Sequence, residues 1–203
     1  MIGGDGSHAL GQFASAVELL PLIAAHPLRP STLGIAGYPE GHPLIDAPTV
    51  ARALAAKSEL ADYVVTQLCF DPDAVRAWII AQREQAIALP VWLGMPGRVS
   101  AAQLLEVSLR IGVGPSLRFV RKQHNPRNLF GLFGGLHGAR TRRLQRALSA
   151  LAADRELGIA GLHYFTFNQL AATWSWQHAS IDAPDPATRS HLQRARAGIS
   201  RGA

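Results

Sequence analysis

Short apolar runs alternate with longer segments of helical periodicity along this chain, and that alternation restricts its fold more than any other feature. The runs that predict strands are residues 1–5, 32–37, 63–70, 89–93 and 161–167. Helical patterns cover residues 15–25, 48–60, 73–86, 100–111 and 140–157, with a last helix from residue 168, while residues 114–138 follow no regular pattern. Strands separated by helical crossovers pair in parallel, so the sequence predicts an α/β fold of about five parallel strands.

Residues with strong positional preferences define the boundaries of these elements. Ser15 and Asp71 suit the N-caps of the helices that follow them, and Gly158 suits a helix C-cap. After the second predicted strand, Pro39 and Gly41 exclude regular structure and predict a loop. Loops at strand ends often carry binding residues, which makes this loop a candidate site.

The composition predicts a globular protein with one main core. The 203 residues include 48% hydrophobic and 17% charged residues, which is enough apolar material for a sizeable core. The single cysteine, Cys69, cannot form an intramolecular disulfide, so the sequence favours a cytoplasmic location over a secreted scaffold. No apolar run is long enough to cross a bilayer, and the first residues lack the pattern of a signal peptide. We therefore expect no membrane partner.

The net charge of +6 raises the question of a nucleic-acid partner. The positive charge is concentrated late in the chain, in Arg140, Arg142, Arg143 and Arg146 and in Arg189, Arg194, Arg196 and Arg201. Charge runs of this kind are usually solvated faces, so nucleic-acid binding is the less favoured interpretation.

Polar residues close several of the predicted strands. In parallel α/β folds, ligands bind beyond the carboxyl ends of the strands, so these are the positions where a site is expected. The strand ends are Gly4-Asp5, residues 37–43, Thr66-Gln67 and residues 163–168. Because parallel strands end at the same edge of a sheet, we expect these residues to converge on one site.

In this order and at this spacing, the strings AGYPEGHP (residues 36–43), VVTQLCFD (64–71) and GLHYFTFN (161–168) resemble those of the methylenetetrahydrofolate reductase family. The resemblance runs from Gly3 to Asn168. It implies that residues 1–180 form an incomplete (β/α)8 TIM-barrel reductase domain whose early strands are missing. Residues 181–203 would then form a basic, flexible tail.

The family resemblance implies an oxidoreductase of one-carbon metabolism and methionine biosynthesis. Members of the family use NADH or NADPH to reduce FAD, which passes a hydride to 5,10-methylenetetrahydrofolate and yields 5-methyltetrahydrofolate. FAD, a nicotinamide cofactor and a folate substrate are therefore expected, and a metal is not. The sequence does not distinguish NADH from NADPH.

The same resemblance implies a set of flavin-binding residues, namely Gly4, Asp5, Phe13, Ala14, Tyr38, His42 and Lys57. Tyr38 offers an aromatic face and His42 an imidazole donor to a large polar cofactor. Lys57 stands where family members present basic residues to the FAD phosphates, although a solvated helix lysine is an equal interpretation. For Phe13 and Ala14, simple packing is the alternative.

Asp5 is also the catalytic and folate-contacting carboxylate that the resemblance implies. A carboxylate can accept paired hydrogen bonds from an aminopyrimidine edge and stabilise positive charge that develops on the substrate. Gln67 and Gln103 match glutamines that contact the folate or the nicotinamide, since an amide is both a donor and an acceptor. Without the resemblance, a turn cap is the favoured interpretation of Asp5, and a structural role for Gln67 stays equally open.

Two positions depart from the family pattern. The family's general acid is a glutamate that ends the first barrel strand, and this chain has no counterpart to it. Gln169 stands where many members have an arginine that binds the folate tail. A barrel sheet that starts at its fourth strand exposes an unpaired edge, so we expect a longer reading frame upstream or strands from another chain, such as a second copy. A catalytically incomplete remnant and a flavin-free folate-binding protein are the alternative functions.

Overall fold

The computed structural model describes residues 12–42, 44–99 and 137–182. In chain order the elements are α1 (Ala16–Ala25), β1 (Gly34–Gly37), α2 (Ala47–Ser58), β2 (Tyr63–Leu68), α3 (Pro72–Glu84), β3 (Val91–Pro96), α4 (His137–Ala153), a 3-10 turn (Arg155–Leu157), β4 (Ile159–Phe165) and α5 (Leu170–Asp182). These residues form two compact units. The first comprises 12–42, 44–96 and 137–165, and the second comprises 97–99 and 166–182, including α5.

The four described strands form one parallel sheet in the order β1-β2-β3-β4. Helix α2 connects β1 to β2, and α3 connects β2 to β3. This arrangement confirms the predicted α/β fold with parallel strands and is consistent with part of a (β/α)8 barrel. The strand predicted at residues 1–5, the helix predicted at 100–111 and the tail predicted at 181–203 lie outside the described residues, apart from the end of α5.

The core of the first unit lies between the sheet and helices α2, α3 and α4. Alternate residues of β2 are buried, as expected for a strand whose two faces have different environments. The fully buried side chains include Leu20, Ile35, Val64, Leu68, Val75, Ile79, Leu93, Met95 and Leu148. Each of the large ones stabilises the fold by about 1.5–3 kcal/mol through removal of apolar surface from water.

Both predicted N-cap residues stand at the cap positions of their helices, but only one of them makes capping hydrogen bonds. Asp71 is the N-cap of α3, and its carboxylate accepts hydrogen bonds from the amides of Asp73 and Ala74, as predicted. Ser15 occupies the N-cap position of α1, but its hydroxyl makes no capping bond. Instead, the Glu18 carboxylate accepts a hydrogen bond from the amide of Ala14 at 2.9 Å. The side chain of Glu18 therefore holds the entry to α1.

Strand β3 continues beyond Leu93, where the sequence pattern placed its end, and pairs with β4 as far as Pro96 and Phe165. The strand predicted over residues 89–93 stops before Gly94, and that boundary was wrong, because Gly94 is paired within β3. A Cβ at Gly94 would lie only 2.7 Å from the carbonyl oxygen of Gln67. Glycine is needed here because the end of β2 approaches β3 closely, at an irregularity of the pairing register.

The segment from α4 to β4 also differs from its prediction. Helix α4 ends at Ala153, because the Asp154 carboxylate accepts a hydrogen bond from the amide of Glu156 and starts the 3-10 turn. Gly158, with φ of 62°, closes that turn rather than the long helix. Strand β4 consequently runs over Ile159–Phe165, two residues earlier than predicted.

In the second unit, α5 begins at Leu170 rather than at residue 168. Phe167 and Asn168 have φ of 46° and 64°, so neither continues a right-handed helix. The amide of Gln169 donates to the carbonyl of Thr166 at 2.8 Å, which closes a tight turn before the helix.

Arg83 connects the end of α3 to two other segments through its guanidinium group. Nη1 donates to the Ile87 carbonyl at 2.6 Å, and Nη2 donates to the carbonyls of Leu89 at 3.1 Å and Leu157 at 2.8 Å. The planar fork of an arginine suits several acceptors at once, which a lysine ammonium does not. Arg83 therefore ties the loop that leads into β3 to the 3-10 turn that precedes β4.

Replacing Arg83 with methionine should lower the free energy of unfolding by about 2–3 kcal/mol, because part-buried carbonyls lose their donor. Urea unfolding followed by circular dichroism measures this change. Arg76→Met on the same helix is the control, since Arg76 makes an exposed ion pair with Asp154 at 3.1 Å, and losing such a pair costs less than about 1 kcal/mol. Equal destabilisation in the two variants would contradict the role assigned to Arg83.

Candidate functional site

A pocket opens at the carboxyl end of β1, between the start of α1 and helix α2. Its volume is about 390 Å³, within the range typical of small-molecule sites. Its walls come from residues 14–17, from residues 36–38 with 42, 44 and 45, and from residues 49, 50, 53, 54 and 57. Most of these side chains are apolar. The pocket therefore combines apolar walls with a small number of polar groups.

Tyr38 and His42 form an aromatic pair in the loop after β1. Their ring centroids are 5.0 Å apart at an interplanar angle of 83°, an edge-to-face arrangement. His42 Nδ1 accepts hydrogen bonds from the amides of Leu44 at 3.2 Å and Ile45 at 3.1 Å. A neutral imidazole that accepts at Nδ1 carries its proton on Nε2. His42 is thus available to the pocket as a hydrogen-bond donor through Nε2.

Lys57, on the last turn of α2, is the basic residue of the pocket. Its side chain is only 8% exposed, and burial lowers the pKa of its ammonium group. Within residues 12–42, 44–99 and 137–182, the ammonium makes no hydrogen bond or ion pair. A buried cation is costly unless it meets an acceptor or an anion. The surroundings of Lys57 therefore favour an anionic ligand group.

The first turn of α1 contributes to the same electrostatic environment. Ser15, Ala16 and Val17 line the pocket, and the first amides of a helix carry partial positive charge without an intrahelical partner. Anions bind readily at such helix ends. Glu18 brings a carboxylate to the same turn, so the Lys57 ammonium is the main attraction of the pocket for an anionic group.

The structure brings together some of the residues that the sequence analysis selected. Ala14, Tyr38, His42 and Lys57 line one pocket, although they come from three separate segments of the chain. Phe13 is 36% exposed and is not part of the pocket wall. Gly4, Asp5 and Gln103 lie outside the described residues.

Gln67 lies at the end of β2 and does not line the pocket. Its side-chain oxygen accepts a hydrogen bond from the amide of Leu68 at 3.0 Å, which leaves the NH₂ group as its donor. The neighbouring Thr66 hydroxyl accepts a hydrogen bond from the amide of Gly94 at 2.8 Å. The bond between Thr66 and Gly94 holds the ends of β2 and β3 together at the edge of the sheet where ligands are expected.

Glu40 is a buried acid in the loop after β1, and the sequence pattern assigns it no role. Its Oε1 accepts hydrogen bonds from the amides of Phe70 and Asp71, the latter at 2.9 Å. Burial raises the pKa of the Glu40 carboxyl, and the two backbone bonds oppose that shift. Its position between Pro39 and Gly41 in a turn was the available signal, but only the fold reveals its partners.

Cys69 is a buried thiol next to this site. Its sulfur lies 3.0 Å from the Thr66 hydroxyl and donates to the Gln67 carbonyl at 3.2 Å. Burial raises the pKa of the Cys69 thiol to about 12. The thiol is therefore protonated at neutral pH, which excludes it as a nucleophile under those conditions.

The last strand, β4, carries further polar residues near its end. The rings of His163 and Phe165 are 4.8 Å apart and edge-to-face, and burial lowers the pKa of His163. The Tyr164 hydroxyl accepts a hydrogen bond from the side-chain amide of Gln145 on α4 at 3.1 Å. Burial raises the pKa of Tyr164. His163, Tyr164 and Phe165 therefore each have a partner among the described residues.

Two further observations concern the described residues as a set. No three histidine, cysteine, aspartate or glutamate side chains among them stand close enough to hold a metal ion. In the same part of the chain, none of the helices is both long enough and apolar enough to span a bilayer. Of the clustered arginines, Arg142, Arg143 and Arg146 are exposed on α4, whereas Arg189, Arg194, Arg196 and Arg201 lie outside the described residues.

Comparison with known proteins gives two findings. The family model of methylenetetrahydrofolate reductase matches residues 3–107, slightly more than half of the chain. The chain is also 28% identical over 166 residues to methylenetetrahydrofolate reductase 1 of Schizosaccharomyces pombe, a match that covers 81% of this chain and 26% of that protein. The chain thus spans about a quarter of the length of this curated relative.

The thiol of Cys69 should react slowly with Ellman's reagent at pH 8 in the native protein. A buried thiol with a pKa of about 12 has almost no thiolate, and we expect a rate at least about a thousandfold below that of an exposed cysteine. Because Cys69 is the chain's only cysteine, the absorbance change reports on it alone. Reaction in denaturant is the control for total thiol, and rapid native reaction would contradict the burial described.

Proposed function

The chain belongs to the methylenetetrahydrofolate reductase family, and from that premise we propose that it is part of an FAD-dependent oxidoreductase. The proposed reaction reduces 5,10-methylenetetrahydrofolate to 5-methyltetrahydrofolate with NADH or NADPH as the reductant. We place this protein in one-carbon and methionine metabolism on the same basis. The proposal also assigns the pocket beside α1, β1 and α2 to part of the FAD molecule.

The pocket that joins Ala14, Tyr38, His42 and Lys57 is the observation that carries the cofactor assignment. The family resemblance alone implies these residues, and it carries no information on their spatial arrangement. A buried ammonium, a helix N-terminus and an imidazole donor suit phosphate and hydroxyl groups. The apolar walls suit the less polar parts of a dinucleotide. The residues present therefore fit the group that the family uses.

Each polar residue of the pocket has a distinct task in this proposal. The Lys57 ammonium would pair with a phosphate of FAD, which compensates for its burial. His42 would donate from Nε2, because its Nδ1 is occupied by backbone amides. Tyr38 would pack against the cofactor while its edge-to-face contact fixes the His42 ring. Phe13 and Gly4 would complete the cofactor contacts outside this pocket.

FAD, when bound, would supply the hydride transfer between nicotinamide and folate. On this chain, Asp5 would accept hydrogen bonds from the pterin and stabilise positive charge on the substrate. Gln67 would offer its NH₂ group to the folate or the nicotinamide, since its oxygen already accepts from Leu68. Gln103 would contribute a second amide to the folate. The substrate would thus meet residues from separate segments of the chain, two of which, Asp5 and Gln67, close strands predicted from the sequence.

The reaction is tested with the purified protein supplied with FAD. We expect a yellow protein that reduces menadione in a manner that depends on methyltetrahydrofolate. A protein that binds neither flavin nor folate would remove the proposal. Flavin-free folate binding, or FAD binding without turnover, would instead support the folate-binding or the catalytically incomplete alternative.

Replacing Lys57 with methionine should weaken FAD binding by about tenfold to a hundredfold, because a charge-assisted contact to phosphate is lost. The thermal midpoint should stay the same or rise, since methionine removes a buried charge at similar volume. Flavin fluorescence titration measures the dissociation constant. Arg52→Met, which removes an exposed cation from the same helix, is the matched control. Equal affinity in wild type and Lys57→Met would contradict the assignment of Lys57.

A further inference from the structure

We propose that Glu40 is a positioning residue that holds the pocket loop, defined as residues 38–42 with 44 and 45, in its binding conformation by bonding to the backbone turn after β2. Glu40 does not line the pocket itself. Its carboxylate reaches across to the amides of Phe70 and Asp71, thirty or more residues away along the chain. The inference rests on the proposed function in so far as the loop contacts FAD.

The turn that receives the Glu40 carboxylate is itself anchored to the rest of the sheet. The amide of Cys69 donates to the Gly94 carbonyl at 2.8 Å. Asp71, next along the turn, caps α3, because its carboxylate accepts hydrogen bonds from the amides of Asp73 and Ala74. Glu40 therefore connects the pocket loop to a turn that is itself fastened to β3 and α3.

Hydrogen bonds and a ring contact within the pocket loop connect Glu40 to the residues that face the ligand. The amide of Gly41 donates to the Tyr38 carbonyl at 3.0 Å, which closes a turn with Glu40 at its third position. Tyr38 and His42 stand two residues to either side and contact each other through their rings. His42 Nδ1 in turn holds the amides of Leu44 and Ile45, both of which line the pocket. Release of Glu40 would therefore loosen the whole loop.

A pair of substitutions separates the reach of the Glu40 side chain from its charge. Glu40→Gln keeps the acceptor oxygen at the same length, whereas Glu40→Asp keeps the charge but is one methylene too short to reach both amides. The proposal predicts that Glu40→Gln behaves like wild type and that Glu40→Asp behaves like Glu40→Ala. Glu84→Ala, at an exposed position on α3, controls for the loss of a carboxylate.

The first measurement is amide hydrogen exchange of the full chain without ligand. In Glu40→Ala and Glu40→Asp, the amides of Gly41, Leu44 and Ile45 should exchange at least about tenfold faster than in wild type, because the hydrogen bonds that fasten the loop to Phe70 and Asp71 are lost or incomplete. Amides of β3 report global opening and provide the internal reference. Unchanged loop exchange relative to β3, or equally fast exchange in Glu40→Gln, would overturn the proposal.

The second measurement is FAD affinity of the same variants. A folded protein that loses some stability remains almost entirely folded, so destabilisation alone leaves the dissociation constant unchanged. A mispositioned loop should raise it by about tenfold in Glu40→Ala and Glu40→Asp. Unchanged FAD affinity in Glu40→Asp would count against the positioning role. If wild type binds no FAD, the proposed function fails, and the exchange comparison still decides whether Glu40 holds the loop.

Discussion

Parallel pairing of β1 through β4 places the carboxyl ends of all four strands at one edge of the sheet. The site residues at the strand ends, Tyr38, His42 and Gln67, owe their position to this constraint. The register is not uniform, since the pairing of β2 with β3 is interrupted between Val65 and Leu68. Gly94 permits that interruption because it lets the carbonyl groups at the end of β2 approach β3 closely. The geometry of the strand ends therefore depends on one residue without a side chain.

Side chains that bond to distant backbone groups hold the connecting loops in place. Arg83 supplies donors to carbonyls of two segments, and Glu40 supplies an acceptor to amides of another. Backbone groups in loops lack the partners that helices and sheets provide, so such bonds satisfy groups that would otherwise be costly to bury. A loop fastened in this way can present ligand-facing residues without belonging to a regular element. Glu40 fastens the pocket loop in this way, and the position of the Tyr38–His42 pair depends on that fastening.

The pocket itself is defined by a cation placed among apolar residues. Lys57 is almost fully buried, and burial disfavours its charged form. A site of this kind binds an anionic group with a strength that an exposed lysine does not reach, because the local dielectric is low. The family to which the chain belongs offers FAD as the natural candidate for that group. Because the chain spans about a quarter of its curated relative, the whole reaction remains a proposal.

The kind and order of the elements, the parallel α/β fold and the family all follow from the amino-acid sequence alone. Hydrophobic periodicity and the Asp71 cap depend only on residues that are close in sequence, so they can be recognised without the tertiary structure. Predicted element boundaries were wrong where tertiary contacts overrode a local signal. Glycine commonly ends a strand, but Gly94 lies within β3 at a close contact with β2. The residues assigned to FAD and folate by resemblance remain predictions as to their function.

Only the tertiary structure decided which of those residues share a pocket. It joined Ala14, Tyr38, His42 and Lys57 and left Gln67 apart. The roles of Arg83 and Glu40 also emerged only there, because a side chain that bonds to the backbone of a remote segment leaves no pattern in the sequence. Such contacts depend on strand register and loop path, which arise from the packing of the whole sheet rather than from any neighbouring residues.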